Sequence, residues 1–336
     1  MEQQLSLCYS KSSGMAGDIA CEGTFKANAT NGDAMVNGVI VIDKPRGPTS
    51  HDIVGRMRNV AGQRRVGHVG TLDPIATGVL PLCLGTATRI SQLLQQGRKR
   101  YRASLELGLI TDTQDVTGTV IETRLVPEIT DAEVERVFER FRGEIEQVPP
   151  IFSAIKHKGT PLYRLARRGH DVYRPPRKLR VYRLELLELS ATGMTFEVEC
   201  SRGTYVRTLC HDIGLGLGCG ASMAALRRVS SEPFNESDAL PLETISSVED
   251  IAANLIPIDR AIDFVPAVYV SSETTRNVLH GQAVGQQMLT GEIPEVGAWV
   301  RMYDEDGNFL ALGTIVERNS TISAHPKRVL TEEFAE

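Results

Sequence analysis

The sequence predicts an α+β fold, and three observations carry that expectation. Strand-like and helix-like segments are interspersed without the regular strand–helix–strand alternation of a doubly wound sheet. The chain has 336 residues and 41% apolar content, enough for a sizeable core and for more than one domain. Past a proline-bearing stretch near residues 258–267 the pattern turns compact and strand-rich, as expected of a small β-rich domain over residues 264–330.

Taken in order, residues 1–36 are polar, small and aperiodic and read as a loose tail. Order begins at "GVIVIDKPRGPTS", where Val39–Ile42 is a short β-branched run and reads as a strand. Two prolines and a glycine then form a turn. Ser50 is the expected N-cap of a helix through about Val60, with Asp52 in its positive first turn. "TATRISQLLQQ" reads as helix and "KRYRASLELGL" as a strand with alternating faces. In "ITDAEVERVFERF", Thr130 and Glu133 make a capping box ahead of the stripe Val134, Val137, Phe138 and Phe141. "LRVYRLELLELS" and "MTFEVEC" read as two strands, "SRGTYVRTLCHDIGLGLG" as a turn into a helix, and "ASMAALRRV" as another short helix. "SSVEDIAANLI" and "SETTRNVLHG" read as helices on either side of the boundary. "AWVRMYD" and "FLALGTIVE" then flank "EDGN", a hairpin signal.

Composition narrows the function classes. No apolar run approaches the roughly 18 residues of a membrane helix. The N-terminus lacks a basic start followed by an apolar stretch, so no secretory leader is expected. The six cysteines form no CxxC pair and fit no zinc spacing, which leaves reduced thiols as the expectation. The net charge of −5 hides an asymmetry. Residues 156–183 carry ten Lys or Arg and a single acid, Asp171, leaving 27 bases against 41 acids elsewhere, a balance of −14. Positive charge concentrated in an otherwise acidic chain suits a phosphate backbone. Tyr163, Tyr173 and Tyr182 are interleaved there and offer faces on which bases can stack.

The most distinctive stretch is "RVGHVGTLDPIATGVLPLCLG", residues 65–85. Glycines 67, 70 and 78 permit close backbone approach or positive φ, and Pro74 biases Asp73 away from helix. The stretch describes a rigid loop that presents one carboxylate. No second acid lies within ten residues on either side, so no local acid–base pair is visible. Two readings stay open: a turn aspartate capping local amides, or a lone nucleophile. The glycines match neither a P-loop nor a dinucleotide fingerprint. "DTQDVTG" lacks calcium-loop spacing and reads as a polar turn. Arg207, at the start of a helix, is a candidate partner for a distant carboxylate. Tyr101 sits between basic neighbours on an expected strand.

Six motifs occur in order: "GVIVIDKPRGPTSHDIV", "RVGHVGTLDPIATGVLPLCLGTATR", "KRYRASLELGLITDTQDVTG", "VPPIFSAIKHKGTPLYRLARRG", "CSRGTYVRTLCHDIG" and "GCGASMAALRRV". Through them the chain resembles the TruB family of tRNA pseudouridine synthases over roughly residues 37–235. The resemblance implies a catalytic domain over 37–258, built on a mixed, largely antiparallel sheet with flanking helices. It also implies a PUA-like RNA-binding domain over 264–330. The implied activity is isomerisation of uridine to pseudouridine at position 55 in the TΨC loop of tRNA, by base flipping and attack of an aspartate, with no metal or organic cofactor. Asp73 matches the catalytic aspartate, Tyr101 the tyrosine that stacks on the flipped base and handles its C5 proton, and Arg207 the arginine paired with the aspartate. Tyr205 and Leu226 match base-pocket residues, and His68 a histidine beside the extruded nucleotide. Lys44 matches a structural or RNA-contacting lysine. The basic segment at about 148–183, with Lys156, Arg167 and Arg168, matches an insertion that folds over the RNA. The implied enzyme is cytoplasmic, monomeric and independent of guide RNA, with tRNA as its partner and no membrane attachment. A purely RNA-binding protein is the other reading that the basic segment allows.

Overall fold

The computed structural model describes residues 35–330, apart from 154, 158, 167, 170 and 171. Residues 1–34 of the expected tail fall outside the described residues, whereas Val36 is already tied to the fold, its N donating to Gln63 Oε1 at 2.8 Å. Strand β1 (Gly38–Lys44) leads through a proline turn into α1 (Ser50–Val60). The short β2 (Val66–His68) and long β3 (Ala76–Leu84) follow, on either side of the Asp73 loop. A 3₁₀ turn (Gly85–Ile90) and α2 (Ser91–Leu94) make up the segment expected as one helix. Then come β4 (Lys99–Leu107), a hairpin of β5 (Leu109–Thr111) and β6 (Val120–Thr123), α3 (Asp131–Glu139) and β7 (Gly143–Gln147). The basic segment holds a small hairpin, β8 (Lys156–His157) and β9 (Thr160–Pro161), and α4 (Leu162–Ala166). Its last residues already belong to β10 (Arg177–Leu189), which turns back into β11 (Gly193–Cys200). Helix α5 (Val206–Gly216) and strand β12 (Ala221–Ser231) complete the elements around the site.

Two further short strands, β13 (Phe234–Asn235) and β14 (Leu240–Pro241), close the large sheet, whose order is β14-β1-β3-β12-β4-β11-β10-β7 with β2 and β13 beside that path. Only the β1–β14 and β3–β12 pairs are parallel. The sheet is therefore mixed and largely antiparallel. Helix α6 (Val248–Ala253) precedes a second, six-stranded sheet that carries α7 (Ser272–Leu279). Its longest pair, Phe309–Arg318 with Thr321–Val329, is antiparallel. No helix among the described residues is long and apolar enough to cross a membrane.

Two local expectations are corrected. The N-cap of α1 is Thr49, in a reciprocal capping box with Asp52. Ser50 Oγ instead accepts from Leu72 N at 2.8 Å and donates to Leu72 O at 3.0 Å, fastening α1 to the Asp73 loop. "ASMAALRRV" is the central strand β12, not a helix. Its Ala, Met and Leu residues favour helix locally, but the site between β3 and β4 supplies two ladders of hydrogen bonds and overrides that preference.

The run Val39–Ile42 does not alternate because β1 is buried on both sides. Ile40 and Ile42 join the main core with Ile53 and Met57 of α1. Val39 and Val41 face a second core with Ile258, Ile262, Leu312 and Leu330. That second core packs the smaller sheet directly onto the larger one. Arg301 fastens the same junction by donating to the carbonyls of Val265 at 2.8 Å, Asp259 at 3.2 Å and Asp263 at 3.1 Å.

Candidate active site

The Asp73 loop is held by its backbone. Alternate carbonyls each receive a donor: Gly70 O from Arg228 Nη2 at 3.2 Å, Leu72 O from Ser50 Oγ at 3.0 Å, Pro74 O from Gly47 N at 2.9 Å, and Ala76 O from Lys44 Nζ at 2.7 Å. Four donors from two chain segments, residues 44–50 and Arg228 of β12, thus fix one short loop, which removes the freedom a glycine-rich stretch would otherwise have. Gly78 is required by close approach: at φ +99° its missing Cβ would lie 2.3 Å from Arg228 O. That contact lets β3 lie in register with β12.

The carboxylate so presented meets Arg207. Helix α5 begins at Val206, and Tyr205 before it is clamped by a reciprocal amide contact: Gln147 Oε1 accepts from Tyr205 N at 2.8 Å, and Gln147 Nε2 donates to Tyr205 O at 3.1 Å. The clamp fixes the helix start, and with it Arg207. Arg207 Nη2 lies 3.2 Å from Asp73 Oδ2 and donates to Phe152 O at 2.7 Å. Arg207 is buried, whereas the Asp73 side chain keeps 35% of its surface open to solvent. Burial raises the Asp73 carboxyl above the usual carboxylate range, Arg207 opposes this, Asp115 adds to it, and Lys44 opposes it.

Asp115 belongs to a stretch that reads from sequence as a polar turn, yet it also faces Arg207. Its Oδ2 lies 3.8 Å from Arg207 Nη1, while its Oδ1 accepts from Thr117 N at 2.9 Å and Thr113 Oγ1 at 3.1 Å. The guanidinium is therefore held between two carboxylates, one anchored in a turn and one facing the cleft. Its position in the third motif, "DTQDVTG", was the only available signal.

Tyr101 on β4 stands opposite Arg228 on β12. Burial raises its phenol above the usual range, and Arg228 beside it works against that shift. Leu226, two residues before Arg228, is in register with Ala76 on β3 and Ala103 on β4. It forms an apolar wall between the Asp73 loop and the strand of Tyr101. Half-buried His68 ends β2, and burial, with help from Arg228 and His51, lowers its imidazole and favours the neutral ring. Burial also raises the Tyr205 phenol, which lies near Ser153 and Asp73. Tyr101 and Tyr205, distant in sequence, are both brought near Asp73, and Tyr101 and His68 near Arg228.

Lys44 is placed differently from an RNA contact. Its side chain is 0% exposed, and the ammonium donates to Ala76 O at 2.7 Å and Pro45 O at 3.0 Å. It braces the loop from beneath, and burial lowers its pKa to about 8. In the basic segment, Arg168 is exposed, Lys156 lies in β8, and Arg167 falls outside the described residues. Tyr173 is exposed, but one face of Tyr182 is already covered by Arg98, whose guanidinium carbon lies 4.1 Å from the ring centre. Among the described residues, no three His, Cys, Asp or Glu side chains gather as a metal set.

Known proteins resemble this chain over most of its length. Residues 58–206 match the TruB family pseudouridylate synthase N-terminal domain, 207–263 the tRNA pseudouridylate synthase B C-terminal domain, and 266–330 the pseudouridine synthase II TruB C-terminal domain. The tRNA pseudouridine synthase B of Syntrophotalea carbinolica is 45% identical over 84% of this chain and 92% of its own. The chain belongs to the TruB family. The tRNA pseudouridine synthase B of Chromohalobacter salexigens is 42% identical over 88% of this chain and 94% of its own. Among solved structures, a chain of a Cbf5–Nop10–Gar1 complex is 30% identical, with a TM-score of 0.68 over 88% of this TruB chain and 85% of its own. A chain of an H/ACA RNP bound to a substrate RNA containing 2′-deoxyuridine is 27% identical, with a TM-score of 0.67 over the same shares. This TruB protein is thus a pseudouridine synthase, an enzyme that converts uridine into its carbon-linked isomer.

Proposed function

We propose that this synthase acts on tRNA, isomerising uridine 55 of the TΨC loop, with Asp73 as its nucleophile. The observation that carries the reading is the Asp73 loop itself. It offers a single carboxylate, held rigidly by four backbone contacts, oriented by Arg207 at 3.2 Å and still partly open to solvent. A uridine in a folded loop reaches such a group only when flipped out of its stack. Tyr101 and Tyr205 supply aromatic surface for the flipped base and Leu226 an apolar wall. Tyr101 is the group proposed to receive the C5 proton, and His68 occupies space beside the extruded nucleotide. The base detaches, turns and rejoins through carbon, and the scheme uses neither metal nor organic cofactor.

The division of labour follows the two sheets. Residues 37–258 form the proposed catalytic domain, residues 264–330 the proposed PUA-like RNA-binding domain, and Lys156, Arg167 and Arg168 of the segment 148–183 the proposed phosphate contacts over the tRNA loop. The enzyme is proposed to work as a cytoplasmic monomer without guide RNA, and purified protein should convert an unmodified tRNA transcript unaided. The decisive test is release of tritium from C5-labelled uridine in that transcript. Asp73→Asn is expected to abolish release while tRNA binding persists. Release at the wild-type rate would remove Asp73 from the mechanism.

A further inference from the structure

Among the described residues Arg228 is the largest fully buried side chain, 1% exposed, and no role named so far uses its charge. Among the described residues no carboxylate lies within ion-pair distance of it. Its guanidinium instead donates to two carbonyls, Val79 O at 2.7 Å from Nε and Gly70 O at 3.2 Å from Nη2. It also meets the phenol of Tyr101, its partner across the β4–β12 ladder. A buried cation with no anion is costly, and proteins keep one only where a partner or a task requires it. A methionine or leucine would fill the volume between β3 and β4 without that cost. The surroundings add positive charge: Lys44 of β1, His68 of β2 and Lys99 of β4 all sense Arg228. Tyr101 in turn is faced by Arg228 from β12, by Cys200 from β11 and by Asp73 from its loop. The Tyr101 phenol is therefore the group in contact with Arg228 that can turn into an anion.

We propose that Arg228 is a positioning residue for the C5-proton step. It ties the Tyr101 phenol to the backbone of the Asp73 loop and serves as the counter-charge of the phenolate that takes the proton. The inference rests on the reading of Tyr101 as the receiver of that proton. In the step, the C5–H bond of the rejoined base breaks and its proton passes to the phenolate oxygen. The electron pair forms the C5–C6 double bond, the C6–N1 π pair moves onto N1, and N1 takes a proton from water. The hydroxide left behind removes the proton from the phenol and restores the phenolate. One guanidinium thereby sets the distance between nucleophile and base, because Gly70 O lies three residues before Asp73 on the same pinned loop.

The test is single-turnover conversion of tRNA transcripts carrying uridine or 5-deuterouridine, followed between about pH 6 and 9.5 for the wild type, Arg228→Lys, Arg228→Met and Tyr101→Phe. Arg228→Met is expected to lose about 100-fold, to show a deuterium effect of about 2 or more, and to move the limb on which its rate rises with pH upward by about a unit or more. Arg228→Lys keeps the charge and is expected to recover part of the rate and most of the pH profile. A uniform loss at every pH without an isotope effect, or unchanged rates, would overturn the inference. If Arg228→Met does not fold by thermal melting, Arg228→Lys decides: a lowered rate with no isotope effect, or an unchanged rate, overturns it, whereas a lowered rate with an isotope effect and a pH limb close to the wild type supports it. Tyr101→Phe separates the two layers. Full activity in that variant removes Tyr101 itself, whereas a dead Tyr101→Phe beside Arg228 variants that behave as wild type removes only the role of Arg228.

Discussion

Replacing Arg207 by methionine leaves two carboxylates facing a site from which their shared cation has gone. The size of the effect follows from the two distances. At an effective dielectric of about 20, unit charges 3.2 Å apart attract by about 5 kcal/mol, and 3.8 Å apart by about 4 kcal/mol. The Asp73 side chain is 35% exposed, so solvent screening brings the first figure to roughly 2–3 kcal/mol. Lost attraction of that size lowers the ratio of ionised to protonated Asp73 by about 100-fold at any given pH, at 1.36 kcal/mol per decade. The direction is fixed. Burial already raises this carboxyl and Asp115 raises it further, so loss of the opposing cation raises it again. Arg207→Met is therefore expected to slow the single turnover and to move the limb on which the rate rises with pH upward, so that the deficit narrows as pH increases. Tritium release as a function of pH reads the rate, and thermal melting reports whether the fold survives. A loss independent of pH would refute the electrostatic reasoning and leave Arg207 an orienting role only. A wild-type rate would refute both.

Three other perturbations probe the supports of the site. Lys44 has its pKa lowered to about 8 by burial, so between about pH 8 and 10.5 the unfolded chain binds the extra proton and stability rises with pH. The wild type should gain about 2–3 kcal/mol relative to Lys44→Met across that window in urea unfolding, and parallel curves would contradict it. Gly78→Ala puts a methyl 2.3 Å from Arg228 O at φ +99°, and the combined strain and overpacking should cost about 3 kcal/mol or more in the same measurement. Arg167→Ala with Arg168→Ala should weaken tRNA binding and flatten its salt dependence by about 1.4–1.8 units of slope, whereas an unchanged slope would mean that neither side chain meets phosphate.

What the sequence made legible depended on where the information resides. Helices α1, α3 and α5 and strands β1, β4, β10 and β11 follow from local pattern, because capping residues and apolar spacing act within a few residues. Strand β12 does not, since its conformation is imposed by two neighbours more than 100 positions away. The same limit separates the parts of the site. Asp73 stands out because proline and glycines mark a presented loop locally. Gln147, Ser153 and Asp115 carry no local mark, and each acquires meaning only when the fold sets it against Tyr205 or Arg207. Lys44 is the instructive case. A lysine after a β-branched strand looks like a surface residue, yet the loop at 73–76 folds over it and takes its ammonium.

The buried charges around the cleft do not balance, and the imbalance has a chemical sense. Lys44, Arg207 and Arg228 are all withdrawn from solvent, and among the described residues the carboxylates at ion-pair distance from any of them are Asp73 and Asp115, both on Arg207. A protein selected for stability alone has little reason to keep two further buried cations whose partners are carbonyl oxygens and a neutral phenol. The proposed reaction supplies the missing negative charge in stages. A base leaving C1′ carries the electron pair of its glycosidic bond, and a phenolate on Tyr101 carries a second charge when the C5 proton is to be removed. A site preset with excess positive charge stabilises both without reorganising, and the free enzyme bears the cost as reduced stability. Neutralising either surplus cation should then act in opposite directions on the two properties. Arg228→Met, if it folds, should melt at or above the wild-type temperature while turning over about 100-fold more slowly. A variant that lost activity and stability together would show that the guanidinium holds the strands and does no electrostatic work.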